Sequence, residues 1–202
     1  MRPFTFLMNK GWRNNEDRGG IMYGVQAFLE EFSSKDNILL IIKVNPAYGV
    51  SNIQQLLNEL IPKDKKDLPL IKIMVDNIPY NKMADFYNMG DVLVMPSRSE
   101  TFGLPGIEAM ACELPVITTN FGGQTDFCTE ENGWIVGGEL EEVQHEILYE
   151  GIKWLTPSIP ELRKAMRQAY NREHLKERIS CALETAQKFT WDKSALLIQS
   201  LV

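Results

Sequence analysis

Short apolar runs alternate with segments of helical spacing along the first 136 residues, and this alternation limits the fold more than any other feature of the chain. The runs are Pro3 to Met8, Ile38 to Val44, Leu70 to Val75, Asp91 to Met95, Leu114 to Thr119 and Gly133 to Val136. Ile38 to Val44 is broken only by Lys43, as in a strand buried on both faces. Between the runs, Ile21, Val25, Phe28, Leu29 and Phe32 recur at helical spacing. So do Ile53, Leu56, Leu57 and Leu60 behind a capping Ser51, and Met83, Phe86 and Tyr87 ahead of Gly90. Such alternation predicts an α/β fold with a doubly wound parallel sheet. Past Glu139 the pattern predicts helices only, over Glu141 to Trp154, Pro160 to Tyr170, Glu173 to Phe189 and from Asp192 onward. One domain over 1–202 follows, with an α/β core at 1–138 and a helical tail at 139–202.

Composition narrows the function. At 202 residues and 44% apolar, the chain can bury one sizeable core. A net charge of -6 argues against nucleic-acid binding, and it means that an anionic ligand must be held by local donors. No run approaches a membrane span, and the N-terminus lacks the pattern of a signal peptide. Cys112, Cys128 and Cys181 show no metal or redox spacing and read as reduced thiols, which predicts a cytoplasmic protein. His145 and His174 are the only histidines, too few for a metal cluster or a serine–histidine triad. No metal and no bound cofactor are expected.

The chemistry concentrates between Met95 and Cys112. An apolar run stops at Pro96, polar residues follow, and Gly103 and Gly106 bracket Pro105 as a helix begins. A strand that feeds through a glycine-containing loop into a helix start offers N–H groups and a positive dipole end to a phosphate. Glu100 and Glu108, eight positions apart, flank that point and can accept hydrogen bonds from hydroxyls. Phosphates and hydroxyls together describe a nucleotide sugar. Standing alone, Glu108 would read as an exposed helix residue and Glu100 as a capping acid.

The wider pattern tips that balance. Pro96, Ser97, Glu100, Phe102, Gly103 and the run Glu108 to Ala111, then Pro115 to Thr118 and Gly122-Gly123, resemble the C-terminal donor-binding domain of retaining GT-B glycosyltransferases, the glycosyl transferases group 1 family. The resemblance implies a Rossmann-like fold and a nucleoside diphosphate sugar as donor. It implies that Glu108 takes the ribose hydroxyls and that Glu100 lies against the sugar, with the backbone of Phe102, Gly103 and Leu104 holding diphosphate or sugar hydroxyls. Asn77 and Ile78 then contact the base, and Gly122-Gly123 is either close to the donor or a simple turn. Lys10 and Arg18 match the basic pair that neutralises the leaving diphosphate, although Gly19 stands where the family has lysine, and Arg13 is nearby. Glu113 replaces a glycine that closes the helix in the family, so it must manage the turn otherwise. Cys112 reads as a buried thiol, and Trp134 and Trp154 as packing residues.

Ala186, Phe189 and Trp191 resemble the segment in which the family's last helix crosses back onto an N-terminal domain. That acceptor domain is absent from these 202 residues, so the chain is expected to be half of a larger or split transferase. The resemblance implies metal-independent transfer of a hexosyl group to an acceptor hydroxyl, with retention. Alone, the chain is expected to bind donor weakly and transfer little or no sugar. Membrane contact is expected only through the absent domain. The alternatives are a non-catalytic nucleotide-sugar-binding or scaffold subunit, and a GT-B nucleotide-sugar epimerase.

Overall fold

The apolar runs become six parallel strands: β1 (Phe4–Asn9), β2 (Ile38–Lys43), β3 (Leu70–Met74), β4 (Val92–Met95), β5 (Val116–Thr119) and β6 (Gly133–Val136). The computed structural model describes residues 2–9, 17–45, 53–143 and 151–201. The sheet order is β3-β2-β1-β4-β5-β6. Phe6 lies opposite Leu40 on one side and Val92 on the other. The winding direction therefore reverses between β1 and β4, and the carboxyl ends of these two strands open a crevice where such sheets bind ligands.

Side chains alternate across the sheet, and each face is covered. Phe6, Met8, Leu40 and Val94 join α1 (Ile21–Glu31) and α5 (Ile159–Tyr170) in one apolar cluster. Leu7, Leu93 and Met95 join α3 (Met83–Tyr87), α4 (Leu104–Ala111) and α6 (Leu175–Ala186) in the other. Burial on both faces explains why these strands read as apolar runs rather than alternating ones. The helix α2 (Ile53–Leu60) leans on the first cluster through Leu57 and Leu60, and Ser51 lies outside the described residues. Arg163 and Arg167 on α5 pair with Glu30, Glu31 and Asp36 around the end of α1.

After β6 the chain departs from the expected run of helices. Within the Glu141 to Trp154 span, β7 (Gly138–Glu142) pairs antiparallel with β8 (Lys153–Pro157), setting Leu140 against Leu155 and Glu142 against Lys153. Leu155 is buried, its N–H donates to the carbonyl of Arg98, and Pro157 and Ser158 end the strand before α5 begins. Pairing to a distant segment and docking on the β4 loop outweigh the helical propensity of the glutamates. The tail from α5 onward is helical, ending in α7 (Trp191–Gln199). That last helix buries none of its residues and exposes Trp191, Leu196, Leu197 and Ile198. Among the described residues, no helix is long and apolar enough to cross a membrane.

Candidate functional site

At the carboxyl end of β4 the chain passes through Pro96 and Ser97, both buried, and emerges at the half-buried Glu100. The carbonyl of Glu100 accepts the Gly123 N–H at 2.9 Å, which pins the β4 loop to the turn after β5. The Glu100 carboxylate accepts the Thr101 N–H at 3.2 Å. Gly103 then starts α4 with φ 92°, a left-handed conformation that strains any residue with a Cβ. Gly103 offers no capping side chain, Pro105 carries no N–H and the Gly106 N–H donates to the Gly103 carbonyl at 2.8 Å, so the N–H groups up to Leu104 are the ones placed to meet an anion. Gly106 serves a different purpose from the ligand approach its position suggests. A Cβ there would meet Met95 and Phe127 at 3.2 Å, so its bareness lets α4 pack on β4.

One turn into α4, the half-buried Glu108 accepts a hydrogen bond from the Tyr87 hydroxyl at 2.8 Å. It lines a cleft of about 260 Å³ together with Tyr80, Phe102, Leu104, Phe189 and Trp191. Phe102 closes one wall by packing against Phe127 and Phe189, with ring centroids 5.2 and 6.0 Å away. Asn77 is exposed and Ile78 half-buried beyond the end of β3, and no hydrogen bond among the described residues joins either to Glu100 or Glu108. Their link to the site is Tyr80, which follows them into the cleft.

The α1 entrance meets this loop from the other side of the switch point. Arg98 N–H donates to the Arg18 carbonyl at 2.8 Å, leaving the Arg18 side chain exposed beside the crevice. Gly19 is buried and Gly20 adopts φ 72°; a Cβ on Gly20 would lie 1.7 Å from the Pro96 carbonyl oxygen. The two loops therefore meet backbone to backbone. Lys10 lies outside the described residues, as does Arg13. Arg18 before α1, and Glu100, Phe102, Gly103, Leu104 and Glu108 after β4, thus lie at the carboxyl ends of the central strands β1 and β4.

Three residues at this end of the sheet have roles that the sequence did not reveal. Tyr87 looked like one more apolar helix position, yet its hydroxyl reaches Glu108. Buried Asp17 caps α1 from outside the helix, accepting the N–H groups of Ile21 and Met22 at 2.8 Å each. Burial pushes its carboxyl up to about 7, against the pull of those two N–H groups and of Arg98. Arg98 lies between Ser97 and Glu100, at a position to which the motif assigns no role. Its guanidinium lies 3.9 Å from the Trp154 ring and donates at 3.0 Å to both Glu141 Oε2 and Thr156 Oγ1. An aspartate four residues before a helix, and an arginine in the polar exit of an apolar strand, were the available signals.

Cys112 lies four residues past Glu108, and burial and that carboxylate push its thiol above the ordinary range. Cys128 is the buried one, its thiol pushed up to about 12 by burial, whereas Cys112 is only half-buried at the end of α4. Trp134 packs under Arg178 at 4.6 Å. Among the described residues, no group of three or more His, Cys, Asp or Glu side chains is placed to hold a metal.

Residues 72–173 match the family described as glycosyl transferases group 1. A D-inositol 3-phosphate glycosyltransferase of Jonesia denitrificans is 31% identical over 113 residues, which is 56% of this chain and 23% of that protein. The chain thus spans about a quarter of the length of that curated relative. Among solved structures, the pneumococcal O-GlcNAc transferase in complex with UDP and GlcNAc superposes with a TM-score of 0.70 at 18% identity, covering 99% of this chain and 35% of that one. The C-terminal domain of a glycosyl transferase group 1 family protein from Francisella tularensis gives 0.65 at 18% identity, covering 92% and 86%. These structures share the fold.

Proposed function

Because the chain belongs to the glycosyl transferases group 1 family, we propose that it forms the donor-binding half of a retaining transferase that moves a hexosyl group from a nucleoside diphosphate sugar to an acceptor hydroxyl. The observation that carries this reading is the succession of Glu100, the start of α4 and Glu108 at the exit of β4, with Glu108 tied through Tyr87 to Asn9 at the end of β1, across the switch point. In it, Glu108 accepts the ribose hydroxyls, and the N–H groups from Phe102 to Leu104 meet the diphosphate or sugar hydroxyls. Asn77 and Ile78, beyond the end of β3, contact the base. Arg18, with Lys10, neutralises charge on the leaving diphosphate as the glycosidic bond loosens. Glu100 stabilises the positive charge that develops on the sugar, and the acceptor hydroxyl attacks from the face the diphosphate leaves. This scheme asks nothing of a metal. The bare apolar face of α7 supports a second domain packing there and supplying the acceptor site.

The test is calorimetric titration of the chain with UDP, GDP and ADP sugars. One of them is expected to bind, and Glu108→Ala is expected to weaken it at least tenfold, the size of a lost charge-assisted hydrogen bond. Binding unaffected by Glu108→Ala would defeat the assignment. A second reading, a subunit that keeps the fold without catalysis, is favoured by Gly19, which is buried where the family places a lysine. Failure to bind any of the three nucleotides would favour that subunit.

A further inference from the structure

The residue that holds Glu108 from behind has no task in the scheme above. Tyr87 closes α3, is 1% exposed, and packs against Phe86 with ring centroids 5.5 Å apart. Packing alone would be served by phenylalanine. The hydroxyl instead donates to Glu108 Oε2 at 2.8 Å and accepts from Asn9 Nδ2 at 3.3 Å. A phenol carries one proton, and with Asn9 filling its acceptor side that proton goes to the carboxylate. Burial and the neighbouring carboxylate hold Tyr87 above the usual tyrosine range, so the hydroxyl stays a donor.

The consequence falls on Glu108. A glutamate side chain has several rotamers open to it, and ordering one costs entropy at the moment a ligand binds. Here the order is set in advance, because the chain of bonds runs from the end of β1 through Tyr87 to one carboxylate oxygen. Glu108 Oε1 has no protein partner among the described residues, and the side chain lines the cleft. The geometry points to Tyr87 as a positioning residue that, through Asn9 and Glu108, presents a carboxylate oxygen to the vicinal hydroxyls of a ribonucleotide and so sets a preference for ribose over deoxyribose. This inference rests on the donor-binding reading.

The experiment compares the affinity of the whole chain for UDP, GDP and ADP with that for their 2′-deoxy forms. The preferred ribonucleotide is expected to bind at least tenfold tighter than its deoxy form. Tyr87→Phe, which keeps the ring and its packing, is expected to lower ribonucleotide affinity about tenfold and leave the deoxy form nearly unchanged. Asn9→Ala loosens the same chain from its far end and is expected to shift the ratio in the same direction by less. A purely structural tyrosine would lower the melting temperature or weaken both forms together. A wild-type preference that survives intact in Tyr87→Phe overturns this inference alone. Failure of the wild-type chain to bind any nucleotide overturns the donor-binding reading, and this inference with it.

Discussion

Glu113 closes α4 in a left-handed backbone conformation, φ 63°, that glycine adopts at lower cost. The hydrogen bonds are those of a helix end with a glycine one residue past its cap: Leu114 N–H donates to the Ala109 carbonyl at 2.9 Å, and Glu113 N–H to that of Met110 at 3.1 Å. The expectation that a glutamate would manage this turn by another route is thus corrected; it takes the same route and bears the strain. Its side chain is exposed, so nothing is lost with it. Glu113→Gly is expected to stabilise the chain by about 0.5–1 kcal/mol, the relief of strain less the extra flexibility of glycine when unfolded, read from the midpoint of a urea melt. An unchanged or lower midpoint would contradict this. At this scale the sequence was legible where spacing set position, as with Glu100 in the loop after β4 and Glu108 inside α4. It was opaque where a residue acts through a partner distant in sequence, as Tyr87 does across 21 positions and Arg98 across 58.

Among the elements, β1, β2, β4, β5 and β6 were legible because burial on both faces leaves a nearly unbroken apolar run, whereas the edge strand β3, exposed to half-buried, shows through Leu70, Ile71, Ile73 and Met74. The hairpin β7–β8 was not. Glu139, Glu141 and Glu142 suggest the polar face of a helix, and the pairing that overrules them comes from Lys153 to Pro157, beyond the reach of local periodicity. What fixes the hairpin is Arg98, whose guanidinium is stacked on Trp154 and bonded to both strands, while its carbonyl receives the Leu155 N–H. Arg98→Met keeps much of the volume but removes the stacking charge and both donors. The expected loss is roughly 2 kcal/mol of stability, with faster amide hydrogen exchange in Gly138–Glu142 and Lys153–Pro157 than in β4 and β5. Exchange that rises equally everywhere would mean that Arg98 supports the whole fold and not the hairpin. Because the loop Arg98 sits in also carries Glu100, the hairpin bears on the site through the backbone of the β4 exit.

For the molecule as a whole, the strand order places two loops distant in sequence, after β1 and after β4, side by side at the switch point, and their meeting leaves Asp17 buried among backbone N–H groups near Arg98. Local periodicity gives no sign of this burial, because Pro96, which meets the chain at Gly20, lies far along the sequence. That burial gives global stability a specific dependence on pH. With its carboxyl raised to about 7 in the folded chain and ordinary in the unfolded one, Asp17 holds a proton in the folded state across a window in which the unfolded chain has released it. Below the ordinary carboxylate range both states are protonated, and above about 7 both are ionised. Inside the window the unfolded state binds fewer protons, so this group's contribution to stability falls as pH rises, by up to about 1.4 kcal/mol per pH unit. Asp36, held low by the Ser33 N–H and by Arg167, acts in the opposite sense at lower pH, so the Asp17 effect is read from a difference. Asp17→Asn keeps the shape and one acceptor but cannot ionise. The stability of wild type minus that of Asp17→Asn, from urea melts at pH 5 to 8, is expected to decline steadily with pH and level off above about 7. A difference that stays flat over that range would show that the two N–H groups and Arg98 keep Asp17 ionised at no net cost.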